Sequence, residues 1–104
     1  MKNRKELTAL LHLNDLGNHN FSGNSVPIGS PHVFGGQLVA QAINAAHRTI
    51  PKNKFLHSLH SYFLEAGDIS IPINYHVSEV RNGGNFSTRR VTASQHHKTI
   101  FILA

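Results

Sequence analysis

The sequence predicts an α+β domain in which an antiparallel sheet curls round one central helix. A helical repeat of apolar residues over 34–50 predicts the helix. After Pro51 the period changes to two, which predicts strands, and turn signals such as Asn82-Gly83-Gly84-Asn85 divide that region into hairpins. A run of strands that does not alternate with helices is typical of this fold class.

The first third of the chain is predicted to hold two short elements and a loop. Residues 3–13 carry leucines at helical spacing and favour a short amphipathic helix, which we expect to end with Gly17 as its C-cap. Residues 18–24 are expected to form a short strand centred on Phe21. Two prolines and a glycine then predict a loop over 27–31.

The central helix, residues 34–50, carries two stripes at helical spacing. One stripe is apolar and consists of Leu38, Val39, Ala42, Ile43, Ala46 and Ile50. The other is polar and consists of Gln37, Gln41, Asn44 and Arg48. Several alanines keep the helix thin, so a neighbouring element can approach closely. Pro51 is expected to end it, because the residue before a proline disfavours the helical conformation.

Four strands are expected after the helix. Residues 55–65 carry large side chains on both faces, so this strand is predicted to be central and covered on both sides. Residues 71–78 alternate as a half-exposed strand, residues 86–95 form its hairpin partner, and residues 99–104 form the last strand. Sequential strands are usually neighbours, so we expect a four-strand meander. The sequence stops within the apolar run of the last strand. We therefore expect the chain to be a piece of a longer protein.

Composition restricts the possible functions of this single domain, residues 1–104. Without cysteine there is no disulfide scaffold, thiolate metal site or cysteine nucleophile. Five acidic residues give paired-carboxylate catalysis little to draw on. The nine histidines lack the helical or strand spacing of zinc sites, so we expect no metal and no other cofactor.

The chain is basic, with a formal net charge of +5, which favours anionic partners. The basic residues are scattered rather than arranged in a stripe, so we expect no nucleic-acid partner. No apolar run approaches the roughly 20 residues that cross a bilayer, and the start lacks a signal-peptide cleavage site. We therefore expect a cytoplasmic protein without a membrane partner.

Three segments, in order, resemble the acyl-CoA thioesterase II family. They are residues 32–42 (HVFGGQLVAQA), residues 57–64 with Gly67-Asp68 after them, and residues 81–91, which contain Arg-Asn-Gly and Phe-Ser-Thr-Arg-Arg-Val. The resemblance covers about residues 7–104. It implies a hotdog fold, in which a curved antiparallel sheet wraps a long central helix, and hydrolysis of acyl-CoA to fatty acid and CoA without a metal.

The resemblance covers only the first of the two hotdog domains that such enzymes contain. It implies that the water-activating Asp, Thr or Ser, and Gln belong to the missing C-terminal domain, so this chain alone is expected to be inactive. Acyl-CoA and that domain are the expected partners. The alternative is a non-catalytic hotdog module that self-associates as a homodimer or higher oligomer. A third possibility, a nucleic-acid-binding module, would show steep salt dependence.

The candidate site residues fall into three groups. Gly35, Gly36 and Gln37 open the central helix, where free N–H groups and the helix dipole can hold an anion or polarise a thioester carbonyl. No catalytic side chain is expected in this chain, and His57 is the one candidate, while His60 and Tyr62 are candidate substrate-binding residues. One of the two histidines could line the acyl pocket or orient a water; the alternative is a hydrogen-bonded histidine of the core or an interface. Arg89 and Arg90 are expected to point to opposite faces of their strand, one of them towards CoA phosphates. The remaining lone carboxylate, Asp68, is expected to cap its own turn.

Overall fold

The computed structural model describes residues 12–25, 35–50, 56, 58–83 and 87–104. In these ranges the chain forms six strands and one helix. In chain order they are β1 (Leu13–Gly17), β2 (Asn20–Gly23), α1 (Gly35–His47), β3 (Ser61–Phe63), β4 (Ile73–Asn82), β5 (Ser87–Gln95) and β6 (Lys98–Leu103). None of the described residues belongs to a helix long and apolar enough to cross a membrane.

The six strands form one antiparallel sheet in the order β1-β2-β4-β5-β6-β3. Its centre is the pair β4 and β5, in which Tyr75 lies opposite Ala93 and Val77 opposite Val91. These four side chains are buried and face α1, as the two-residue alternation predicts. The helix packs across this side of the sheet with Leu38, Ala42 and Ala45 buried against it. The small alanines let helix and sheet approach closely.

The helix predicted over 3–13 lies mostly outside the described residues, which begin at His12. The predicted end of this helix is wrong, because Leu13 belongs to a strand. Leu13 begins β1, where its side chain is almost fully buried beside β2. Gly17 is not a helix C-cap but part of the β1–β2 turn, with a φ of 85° that favours glycine. The strand centred on Phe21 is confirmed as β2.

The helix is shorter than the predicted range 34–50, so the long central helix is not observed. It ends at His47, and the next turn is tightened by a bond from the Thr49 N–H to the Ala46 carbonyl at 3.0 Å. The Thr49 side chain donates to the same carbonyl at 2.8 Å. The chain therefore leaves the helix before Pro51, because Thr49 is tied to the end of the helix and to the sheet.

The strand predicted over 55–65 as central is instead the short strand β3 at the edge of the described sheet, where β6 is its one neighbour among the described strands. Its large side chains do not cover two buried faces, since Tyr62 and Phe63 are 65% and 57% exposed. The meander is confirmed for β4, β5 and β6 but excludes β3, which lies beyond β6. A run of large side chains on both faces predicts a strand, but it does not distinguish a central strand with both faces buried from an edge strand with exposed side chains.

Candidate functional site

The start of α1 lies under an aromatic ring from the sheet edge. A Cβ atom added at Gly35 would be 3.2 Å from ring carbons of Phe63, so glycine permits this close contact. The Phe63 ring also packs on Phe101 of β6, with 4.9 Å between ring centroids. Gly36 is exposed beside them. The backbone N–H groups of this first turn have no acceptor within the helix, so they suit an anion or a polarised carbonyl.

Gln37 and Gln41, one turn apart in α1, have fully buried side chains. Gln41 Oε1 accepts a hydrogen bond from the Tyr75 hydroxyl at 2.6 Å, and Gln41 Nε2 donates to the Asn24 carbonyl at 3.0 Å. Gly23 makes room for this amide, because an added Cβ would lie 2.7 Å from Gln41 Oε1. Burial raises the pKa of Tyr75 well above its usual range, so the phenol remains a neutral donor.

Gln37 has a different environment from Gln41. Its Nε2 donates to the Ser25 hydroxyl at 2.9 Å, whereas its buried Oε1 has no hydrogen-bond partner among the residues that the structure describes. Unpaired polar atoms of this kind are uncommon in protein interiors. The predicted polar stripe thus includes two residues that face the sheet rather than solvent, and one of them retains unused hydrogen-bonding capacity next to the start of the helix.

His60 and Tyr62 lie at the β3 edge, and the structure does not bring them to the start of the helix. The backbone N–H and carbonyl of His60 both pair with Ala104, at 2.8 Å each, while its side chain is exposed. Alternation places His60 and Tyr62 on the face opposite Phe63, away from α1. His57 lies outside the described residues.

Arg89 and Arg90 point to opposite faces of β5, as expected. Arg89 is 8% exposed and reaches the far end of α1, where its Nε donates to Thr49 Oγ1 at 2.9 Å and its Nη2 to the Thr49 carbonyl at 3.0 Å. A third donor, Nη1, bonds the Arg81 carbonyl at 3.2 Å. A helix of 13 residues is about 20 Å long, so Arg89 is remote from Gly35. Arg90 lies opposite Ser78 and is exposed.

Two acidic side chains, Asp68 and Glu79, make local interactions. The Asp68 carboxylate accepts bonds from the Ser70 N–H at 2.8 Å and hydroxyl at 2.7 Å, which caps its own turn. A hydrogen bond from Asn82 lowers the pKa of exposed Glu79, as do the nearby charges of Arg89 and His19. Within the described part of the chain, His, Asp and Glu form no group of three or more that could hold a metal ion.

The structure places the candidates that it describes at three separate locations, and of these only Gly35, Gly36 and Gln37 lie at the start of the helix. Sequence reasoning missed Phe63, Ser25 and the buried state of the two glutamines. The glycine pair at the start of the helix indicates that another side chain packs closely there, but it does not identify that side chain as Phe63. A glutamine that faces a sheet has the same spacing as one that faces water, so periodicity alone leaves both orientations open.

Comparison with known proteins gives consistent results in sequence and structure. Residues 22–104 match the family described as the acyl-CoA thioesterase N-terminal domain. Acyl-CoA thioesterase 2 of Haemophilus influenzae is 47% identical over 94 residues, which are 90% of this chain and 33% of that protein. The peroxisomal acyl-coenzyme A thioester hydrolase 1 of Saccharomyces cerevisiae is 49% identical over 77 residues, 74% of this chain and 22% of that protein.

Among solved structures, a tesB protein of Mycobacterium avium subspecies paratuberculosis superposes with a TM-score of 0.89 at 37% identity. The match covers 95% of this chain and 40% of that chain. The chain therefore spans about a third or less of the length of the two curated relatives, and its fold agrees with one part of a longer structure.

Proposed function

The chain belongs to the acyl-CoA thioesterase N-terminal domain family, and on that premise we propose that it is the N-terminal hotdog part of an enzyme that hydrolyses fatty acyl-CoA to free fatty acid and CoA. The family match over residues 22–104 carries the proposal, and the agreement in fold with a tesB protein supports it. The catalytic residues belong to a C-terminal hotdog domain, and the complete protein acts in the cytoplasm without a metal or other cofactor.

In the proposed reaction, water attacks the thioester carbonyl and the CoA thiolate leaves. Residues of the second domain activate the water. The start of α1 assists, because the N–H groups of Gly35 and Gly36 can donate hydrogen bonds to the carbonyl oxygen as negative charge develops on it. Gly36 is exposed, so a substrate can approach the backbone there, and the Phe63 ring lies against the neighbouring Gly35.

The other candidates have distinct proposed roles at the surface. Arg90 is exposed and available to CoA phosphates, whereas the Arg89 guanidinium is occupied by backbone and Thr49 acceptors. His60 and Tyr62 present exposed side chains at the β3 edge, where a second domain and the substrate can reach both. His57 is proposed to orient water or line the acyl pocket.

A chimera tests this function. The matching N-terminal segment of the Haemophilus influenzae acyl-CoA thioesterase 2 is replaced by residues 7–104 of this chain, and release of CoA from decanoyl-CoA is followed. We expect hydrolysis within about tenfold of the parent enzyme, since the two segments share 47% identity. A folded chimera that binds substrate but does not hydrolyse it would contradict the proposal. The parent protein truncated of the same segment is the control.

A second candidate function is self-association, favoured by the exposed apolar side chains near β3. Leu56, Tyr62, Phe63 and Leu64 are each more than half exposed, and among the described strands the edge of β3 that faces away from β6 has no neighbour. Such a patch beside an open strand edge is suited to a second hotdog domain, whether in the same protein or in another copy.

Sedimentation of the chain at micromolar concentration tests this association. We expect a dimer or higher oligomer, and we expect Leu64→Lys to shift it to monomer, because a buried charge opposes pairing at the edge. Leu16→Lys is the matched control, since Leu16 is 60% exposed but lies on β1 at the opposite edge. A monomeric wild-type chain would rule out self-association.

A further inference from the structure

The end of β4 carries a side-chain amide beside a carboxylate, at a position where the chain can react with itself. Asn82 is the last residue of β4, its side chain is exposed, and a glycine follows it. We propose that Asn82 is a site of deamidation and that Glu79 slows the reaction by holding the Asn82 amide. This modification is independent of the proposed hydrolysis of acyl-CoA.

Deamidation of an asparagine requires only the next residue and water. The backbone nitrogen of Gly83 attacks Asn82 Cγ, the Cγ–Nδ2 bond breaks, and ammonia leaves with the proton that the nitrogen has lost. The product is a five-membered succinimide ring. Water then adds to one of the two ring carbonyls and opens the ring, which gives aspartate or isoaspartate at position 82. Glycine favours ring closure because it has no side chain to shield the attacking nitrogen.

The residue that follows Asn82 distinguishes it from the other asparagines. The chain contains ten asparagines, and Asn82 is the one that a glycine follows. The others precede residues with a side chain, such as His19 and Phe21, which crowds the nitrogen that must attack. The sequence therefore favours deamidation at Asn82 over the other nine positions.

A β-bulge places Glu79 and Asn82 on the same face of β4. In a regular strand, residues three apart point to opposite faces. Glu79 lies opposite Arg89, a register shift follows, and Asn82 then lies opposite Ser87. Because Ser87 and Arg89 are two residues apart, they share a face of β5. The extra residue of the bulge thus brings the Glu79 and Asn82 side chains to one side of the hairpin.

A hydrogen bond that the reaction must break joins these two side chains. Asn82 Nδ2 donates to Glu79 Oε1 at 2.8 Å, while Glu79 Oε2 pairs with His19 Nε2 at 3.3 Å. The bond from Asn82 also lowers the pKa of Glu79, so the acceptor is a carboxylate anion at neutral pH. Because Nδ2 is the atom that leaves as ammonia, this charge-assisted bond stabilises the unreacted amide and slows its loss.

Deamidation changes both the charge and the backbone at this end of the hairpin. It replaces the donor to Glu79 with a second carboxylate, and two neighbouring carboxylates repel each other. In isoaspartate the main chain runs through the former side chain and gains one carbon atom, so position 82 cannot keep its register with Ser87. The modification therefore loosens the end of the β4–β5 pairing.

Incubation of the 104-residue chain at mildly alkaline pH tests the proposal. Deamidation adds one negative charge, which isoelectric focusing resolves and peptide mass spectrometry locates. We expect wild type to gain the charge at position 82, and Glu79→Ala to gain it about threefold to tenfold faster, because one hydrogen bond is removed. Asn82→Gln keeps the amide but would have to close a six-membered ring, so we expect it to remain unmodified at this position.

His19→Asn is the matched control for Glu79→Ala. It removes the other partner of Glu79 and leaves the bond to Asn82 in place, and asparagine tolerates the φ of 62° at this position. Its rate of modification at position 82 should equal that of wild type. Equal rates in wild type and Glu79→Ala would overturn the proposal, as would equal acceleration in His19→Asn. It would also be overturned by a charge gain that persists in Asn82→Gln, or by no charge gain in either wild type or Glu79→Ala.

Discussion

At the scale of single residues, burial can be predicted from the sequence for apolar side chains in the core, but not for a charged side chain that is buried. The alternation around Tyr75 and Val77 identifies the inner face of β4, and the structure buries both. Arg89 occupies an equivalent inward position on β5, yet its charge suggests solvent. Its partners are the Thr49 hydroxyl and backbone carbonyls, and nothing in the sequence pairs them with Arg89, so the burial of Arg89 is visible only in the fold.

We expect Arg89→Met to lower the free energy of unfolding by about 2–3 kcal/mol, because Thr49 and the Arg81 carbonyl lose charged donors. Urea denaturation measures the change. Arg90→Met, at the exposed neighbouring position, should change stability by less than about 0.5 kcal/mol. Equal effects of the two substitutions would show that Arg89 does not tie the end of the helix to the sheet.

Tyr75→Phe should alter the dependence of stability on alkaline pH. Burial raises the pKa of Tyr75 in the folded chain, while the unfolded chain releases the proton near the ordinary value of 10.0. Unfolding is therefore increasingly favoured as the pH rises above that value, and full stability is present only below it. The phenylalanine variant lacks this contribution, so its unfolding free energy should fall less between about pH 9 and pH 11.

Urea unfolding at several pH values measures this difference. Tyr75→Phe should also be less stable at neutral pH, by about 1–2 kcal/mol, because it removes the donor to Gln41 Oε1. Tyr62→Phe removes an exposed phenol and serves as the control. An identical alkaline slope in wild type and Tyr75→Phe would show that the buried phenol does not hold its proton.

At the scale of elements, periodicity finds each strand of the β4–β5–β6 meander but does not order the whole sheet. Large residues on both faces of 55–65 suggest a covered strand, whereas β3 lies at the edge of the sheet that the described strands form. The helix is misjudged for a related reason. Pro51 marks the last position at which a helix can end, but hydrogen bonds at Thr49 end it earlier.

The loop between β3 and β4 is held by one side chain of β5. Gln95 Oε1 accepts from the Asp68 N–H at 2.9 Å, and its Nε2 donates to the Asp68 and Ile71 carbonyls at 2.9 Å and 3.1 Å. The amide thus joins β5 to two residues of the loop through three hydrogen bonds. Gln95→Leu should release the loop and remove protection of the Asp68 amide from hydrogen exchange.

Hydrogen exchange of the Ser70 amide is the internal control. This amide bonds the Asp68 carboxylate within the loop, at 2.8 Å, and does not involve Gln95. Exchange measured by NMR should therefore accelerate more at Asp68 than at Ser70 in the variant. Unchanged exchange at Asp68 would show that the loop is positioned without Gln95.

At the scale of the whole molecule, the family and the general fold class follow from the sequence, while the site follows only in part. Three short segments identify the family, and the helix start at Gly35-Gly36 was correctly placed. The candidates on the strands lie elsewhere in the molecule. Spacing along the chain does not determine which end of the helix a residue on a strand lies near. The chain also spans 33% of the Haemophilus influenzae relative.

The central claim is that this domain supports acyl-CoA hydrolysis but does not perform it alone. The most direct measurement is release of CoA from decanoyl-CoA by the purified chain, beside the Haemophilus influenzae acyl-CoA thioesterase 2 under the same conditions. We predict no turnover above the uncatalysed rate for the chain. Turnover near that of the longer enzyme, lost in a Gly36→Pro variant that remains folded, would contradict the claim and place a complete active site within these 104 residues.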